Sequence, residues 1–250
     1  MIVFKNSTDG HKASVHRYDG TVWSDLGDAN FSAYGANCYG PRVEVGPDDL
    51  PVVIYQGGSV QRPHASKYTG SAWEDLGQIF GNNTNSYSMA VDFDNVPLVT
   101  VTYSSTMYVK EYTGNAWNAW TAPFQTGQRA LTIVDSSKER PTIAGIVGGA
   151  ATVSRWEANQ WMDLGGPAST SVEGIGDLVY DQADNLYLVI ADQGSYVLYR
   201  YDGISTWEQL GVIGVASSYI SLALDGAGRA YVVFKDPEQA NKLHFLEFHQ

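Results

Sequence analysis

Tyr18-Asp19-Gly20-Thr21-Val22-Trp23-Ser24-Asp25-Leu26-Gly27 is the stretch that decides the fold. An aromatic residue, a turn built on Asp-Gly, a Trp and a closing Leu-Gly describe the tight end of a β-hairpin, because Asp and Gly supply the backbone conformations such turns need. The element returns as Tyr68-Thr69-Gly70-Ser71-Ala72-Trp73, as Tyr112-Thr113-Gly114-Asn115-Ala116-Trp117 and as Trp156-Glu157-Ala158-Asn159-Gln160-Trp161. A fifth copy runs from Tyr201 to Trp207 with one residue more. Trp23, Trp73, Trp117, Trp161 and Trp207 follow one another at steps of 50, 44, 44 and 46 residues. Leu-Gly closes four copies, at Leu26-Gly27, Leu76-Gly77, Leu164-Gly165 and Leu210-Gly211, and has drifted to Trp120-Thr121 in the third.

Outward from this turn, a second element keeps the same period. It is an alternating apolar strand, a turn rich in Asp, Asn, Gly and Pro, and a more continuous apolar strand, at residues 43–55, 89–101, 131–143, 178–189 and 222–234. Each repeat therefore reads as four antiparallel strands, a, b, c and d, with Trp on d and the longest connection running from d to the next a. Period-2 patterning without a helical stretch, repeated at this spacing, predicts an all-β chain of four-stranded blades, a β-propeller. The reading makes residues 1–250 one propeller domain, with full repeats at 41–77, 87–121, 129–165 and 176–211 and partial ones at 1–27 and 219–250. A β-sandwich would not require one motif five times at a fixed period.

The ends repeat each other. Residues 231–250 align without gaps on residues 1–20, with Val233-Phe234-Lys235 on Val3-Phe4-Lys5. The chain thus begins with strands b, c, d and ends with a, b, c. Five strands of type a favour five blades, closed by pairing of the N- and C-terminal strands, which would remove open sheet edges. One b–c hairpin is then redundant, so six blades with incomplete first and last sheets, or a truncated larger propeller, stay open.

Composition removes several function classes. The net charge is −12, from 15 basic and 27 acidic residues, which opposes phosphate backbones and anionic membranes. A single cysteine, Cys38, excludes an internal disulfide and thiolate metal sites. No segment is long and apolar enough to insert in a membrane, and the first residues read as a strand rather than a secretion signal. No cofactor-binding motif is present.

The turn before each Trp resembles a degenerate Asp box, the Ser-x-Asp-x-Gly-x-x-Trp turn of sialidase-type (BNR) propellers, in the same place between strands c and d. Asp19-Gly20 and Asp202-Gly203 lack the spacer residue, and the other copies lack the Asp. Ser221-Leu222-Ala223-Leu224-Asp225, Tyr231-Val232-Val233-Phe234-Lys235-Asp236 and Lys242-Leu243-His244-Phe245 are similar to repeats of bacterial surface and secreted proteins. The resemblance implies a propeller and an extracellular or cell-surface location.

Candidate sites divide by whether they repeat. The five tryptophans, Trp23, Trp73, Trp117, Trp161 and Trp207, are available for sugar stacking, yet a residue required once per repeat serves the repeat, so they are read as structural. Asp92, Asp135, Asp181 and Asp225 end strand a, as a cation-binding ring or, more simply, as caps of the hairpin turn. Arg17, Lys67, Arg155 and Arg200 share one repeat column and so point to separate places, unlike the converging arginines of a sialidase. The d-to-a loops differ between copies, and binding residues concentrate on such loops. Phe31, Tyr34 and Tyr39 lie in the first, Phe80, Asn82, Asn83 and Tyr87 in the second, Tyr219 in the last. Rings beside amides are what a shallow sugar site uses.

The expected function is non-enzymatic, lectin-like binding of a glycan or cell-surface ligand, multivalent through the repeat, with no metal and no nucleic acid partner. The alternatives are a protein-interaction or adhesion module, and a glycoside-acting enzyme with two carboxylates flanking the scissile bond.

Overall fold

Alternating and continuous runs of Val, Ile, Leu, Tyr and Thr become strands, and the Gly-, Asp- and Asn-rich stretches between them become turns, as β-branched and aromatic residues favour a pleated surface. The computed structural model describes residues 1–8, 10–32, 37–84, 86–124, 130–135, 140–216, 219–240 and 242–248, with the backbone alone at 130–135 and 140. Its described strands form six antiparallel sheets. The first holds β1 (Ile2–Asn6), β2 (Lys12–Tyr18) and β3 (Trp23–Asp25). The second holds β4 (Tyr39–Val45), β5 (Pro51–Gly57), β6 (Arg62–Tyr68) and β7 (Trp73–Gln78). The third holds β8 (Ser86–Val91), β9 (Pro97–Tyr103), β10 (Thr106–Thr113) and β11 (Ala116–Trp120). The fourth holds β12 (Ala130–Asp135), β13 (Arg140–Val147), β14 (Ala150–Glu157) and β15 (Gln160–Asp163). The fifth holds β16 (Val172–Tyr180), β17 (Leu186–Asp192), β18 (Ser195–Tyr201) and β19 (Trp207–Val215). The sixth holds β20 (Ile220–Leu224), β21 (Ala230–Asp236) and β22 (Lys242–Phe248). Strand order within every sheet is sequence order, and one 3-10 turn, Pro237–Gln239, is the helical content of the described residues.

The chain divides into two units, Met1–Ala122 with the first three sheets and Pro123–Gln250 with the last three. In the first unit, Ala13, Val15, Cys38, Val53 and Tyr55 fill the space between sheets one and two. Val52, Ile54, Met89, Val99 and Val101 fill that between sheets two and three. In the second unit, Ala144, Val153, Leu186, Leu188 and Ile190 join sheets four and five, and Val189, Leu198, Val232 and Phe234 join sheets five and six. Strand b is therefore packed on both faces, which is why β5, β9 and β17 read as continuous apolar runs rather than alternating ones. Strand d is the outer, exposed edge.

The sheet count differs from the favoured five. β3 pairs with β2, and β22 with β21, so the terminal hairpins stand in separate three-stranded sheets among the described residues. The physical reason is local. Residues 1–20 and 231–250 each carry a complete b–c hairpin, and pairing with the strand adjacent in sequence costs the least loop-closure entropy.

Candidate functional site

The repeat motif has one geometry throughout. Its two aromatic residues are direct cross-strand partners, Tyr18 with Trp23, Tyr68 with Trp73, Tyr112 with Trp117, Trp156 with Trp161 and Tyr201 with Trp207. Ring centroids lie 5.2–5.4 Å apart in all five pairs. The indole then reaches the sheet before it. Trp73 Nε1 donates to Leu26 O (2.8 Å), Trp117 Nε1 to Leu76 O (2.9 Å) and Trp207 Nε1 to Leu164 O (3.1 Å). The acceptor is the Leu of the preceding Leu-Gly in each case, so the two halves of the motif meet across sheets. Gly27, Gly77 and Gly165 follow those leucines with φ of +69°, +79° and +66°, the left-handed conformation that glycine adopts freely. Trp23, in the first sheet, is 51% exposed.

The Asp column caps turns. Asp92 Oδ1 accepts from Val96 N (2.7 Å), Asp181 Oδ1 from Ala183 N and Asn185 N (2.9 and 2.8 Å), and Asp225 Oδ1 from Ala227 N and Arg229 N (2.9 Å each). The side chain of Asp135 lies outside the described residues. Backbone donors hold the Asp225 and Asp202 carboxyls below the usual carboxylate range, and those of Asp19 down to about 2. Among the described residues, no group of three or more His, Cys, Asp or Glu side chains is placed to hold a metal ion. The basic column is spread out and paired: Arg17 with Asp49 (2.6 Å), Lys67 with Asp48 (3.4 Å), Arg155 with Glu157 (3.1 Å) and Arg200 with Glu208 (2.8 Å).

The loop residues separate into packed and open ones. Phe31 stacks on Trp73 at 3.8 Å and 12°. Phe80 packs against Tyr108 (4.7 Å) and Tyr103 (5.9 Å). Tyr34 lies outside the described residues. Asn82 and Asn83 are exposed, and beside them Thr84 accepts from Gln56 Nε2 through both its carbonyl and its hydroxyl (3.0 Å each). Tyr219, in the second unit, is 69% exposed.

Tyr39 and Tyr87 are brought together, with partners the sequence did not single out. Tyr87 is buried, and its hydroxyl donates to the carbonyls of Tyr39 (3.0 Å) and Gly40. Burial pushes that phenol up from its ordinary pKa. The Arg42 guanidinium lies over the Tyr87 ring, 5.8 Å from its centroid, and the Lys5 ammonium lies over the Tyr39 ring at 4.8 Å. A β-bulge makes this possible. Tyr39 pairs with Gln56 but Arg42 with Ile54, so β4 carries one residue more than β5 across that interval. The extra residue breaks the regular alternation between the two positions. Gly40 sits in the bulge at φ +51°, and a Cβ there would lie 2.8 Å from the Tyr87 hydroxyl. Gly40-Pro41 at the head of an apolar strand was the available signal of a bulge. Lys5, from β1, gave none, since the packing of β1 beside β4 is a tertiary fact.

No family model matches the chain, and no curated protein does. Solved structures do. The chain is similar to a fungal lectin from Aleuria aurantia with a six-bladed β-propeller fold and a fucose recognition mode, at TM-score 0.67 and 14% identity over 99% of this chain and 86% of that one. It is similar to TolB from Acinetobacter baumannii at TM-score 0.62 and 11% identity, over 99% of this chain but 63% of the TolB chain. A periplasmic gluconolactonase from Pseudomonas aeruginosa follows at TM-score 0.57 and 13% identity, over 98% and 82%. These likenesses are of fold, and with the repeated antiparallel sheets they show a chain of β-propeller repeats.

Proposed function

We propose that this chain is a non-catalytic, lectin-like propeller that binds carbohydrate through its d-to-a loops and the strands they lead into, at the cell surface or outside the cell. The observation that carries the reading is the Tyr39 cluster. Tyr39 keeps 36% of its surface exposed and Gly40 leaves its backbone open beside it, between the exposed Lys5 and Arg42 side chains. Sugars use such surroundings, stacking C–H faces on a ring and bonding hydroxyls to nearby donors. Asn82 and Asn83 on the next loop, and Tyr219 in the second unit, offer further weak positions, so the binding is multivalent. The fold-level likeness to a lectin supports the reading. A glycan array probed with the intact protein is the test: at least one glycan class binds, and Tyr39→Ala lowers that signal at least about tenfold. A blank array, or a signal indifferent to Tyr39, removes the proposal.

A second reading, a protein-interaction module, draws on the sixth sheet. Leu243 and Phe245 on β22 are 75% and 65% exposed, with Tyr231 beside Phe245 at 5.7 Å. An apolar sheet face of this kind marks a docking surface more often than a sugar site. Binding of a protein partner abolished by Phe245→Asp and untouched by Tyr39→Ala would favour it.

A further inference from the structure

We infer that the Tyr39 cluster selects acidic saccharides, those bearing a carboxylate or sulfate, an inference that rests on the carbohydrate-binding reading above. Two cations stand there without an acidic partner. Among the described residues, no ion pair includes Lys5 or Arg42, whereas Arg17, Lys67, Arg155, Arg200 and Arg229 each hold a carboxylate. Lys12, Arg62, Lys110, Lys235 and Lys242 likewise hold no carboxylate among the described residues, so the lack of an acidic neighbour does not by itself mark the site. What marks Lys5 and Arg42 is that both rest on tyrosine rings, an arrangement that fixes the head groups while leaving their N–H donors unspent.

The contacts run in one chain: Lys5 over Tyr39, the Tyr39 carbonyl to the Tyr87 hydroxyl, and the Tyr87 ring to Arg42. The bulge at Gly40 and Pro41 lies between Tyr39, whose ring meets Lys5 of the first sheet, and Arg42, whose guanidinium meets Tyr87 of the third. This chain of contacts thus offers a ring for a pyranose and two positive donors for its anionic substituent. Arg42 can bind a carboxylate or sulfate through two parallel N–H bonds, and Lys5 supplies a point charge. The acidic remainder of the surface repels polyanions in general, so attraction depends on this site and on the sugar ring together.

The test is affinity electrophoresis of the full chain in gels containing polygalacturonate, dextran sulfate, neutral dextran or polyglutamate. The expected result is retardation by polygalacturonate, by dextran sulfate or by both, at least about fivefold stronger than by dextran or polyglutamate and weakened by salt. Comparing the two acidic gels tells carboxylate from sulfate. Lys5→Gln with Arg42→Gln lowers the retardation at least about tenfold, and because both side chains are exposed the circular dichroism spectrum stays that of the parent. Equal retardation by dextran overturns the acidic preference and leaves the carbohydrate reading standing. Equal retardation by polyglutamate overturns the role of the sugar ring. Unchanged retardation of the double variant overturns the site. No retardation in any gel together with a blank glycan array overturns both readings.

Discussion

A single indole N–H distinguishes the tryptophans from any other large ring at their positions. Trp117→Phe loses the bond to Leu76 O together with part of the indole's contact on the core, which costs at least about 1 kcal/mol and about 2–4 °C in Tm. Trp23→Phe, in the exposed first-sheet copy, changes stability by less than about 0.5 kcal/mol. Urea unfolding of the two variants side by side checks the difference, and equal losses would mean that the indole bond contributes nothing. His64 allows a second prediction. It is fully buried, stacked on Tyr55 at 6.0 Å, and burial pushes its pKa below the ordinary 6.5. Between the folded value and 6.5 the unfolded chain binds more protons than the native one, so the stability is complete above that window and is lost as pH falls through it. Urea midpoints at about pH 7.5 and about pH 5 therefore differ more in the parent than in His64→Gln. At this scale the sequence was half legible. The motif announced that each Trp matters to the repeat, but not that its partner is the Leu-Gly carbonyl one sheet earlier, because a bond between residues about one period apart leaves no local pattern.

Strands b were the most readable elements, since packing on both faces writes continuous apolar runs into the sequence. The repeat-equivalent residues Phe4 and Phe234 show where equivalence stops. Phe234 is buried between sheets five and six, while Phe4 is half-buried with its ring edge-on to His16 at 4.7 Å. Phe234→Ala costs about 3–5 kcal/mol and Phe4→Ala about 1–2 kcal/mol, measured by chemical denaturation. Identical costs would mean that the two terminal hairpins have the same surroundings. The β4 bulge was the least legible element. Alternation read from sequence gives no sign of the extra residue between Tyr39 and Arg42, which only the register against β5 shows. Gly40→Ala forces a side chain into the left-handed region and against the Tyr87 hydroxyl, at a cost of about 1–2 kcal/mol. It also weakens glycan retardation if the bulge shapes the site.

For the molecule as a whole, the period and the aromatic turns were enough to give the class of fold, and the sheets follow them copy by copy. The number of sheets was harder, because the terminal hairpins are alike and pair locally in either arrangement. Of the loop residues, the aromatic Phe31, Phe80 and Tyr87 are packed. Aromatic rings in loops serve packing and binding alike, and sequence carries no burial. If several loops bind sugar, a surface coated densely with glycan holds the protein ~10²–10⁴-fold more tightly than the free monovalent sugar does, and a ratio near one would mean a single site. Cys38 gives access to how the first two sheets part. The thiol is buried between sheets one and two beside Ala13, Val15, Val53 and Tyr55, with its backbone N–H bonded to His11 O, and burial pushes its pKa up to about 12. A maleimide dye therefore finds nothing to react with until the packing between those two sheets opens, and the rate of labelling becomes a clock of rare excursions, slower than in the denatured chain by roughly 10³-fold or more. The lone thiol, silent in any binding chemistry, is a built-in stopwatch for the breathing of the molecule's first seam.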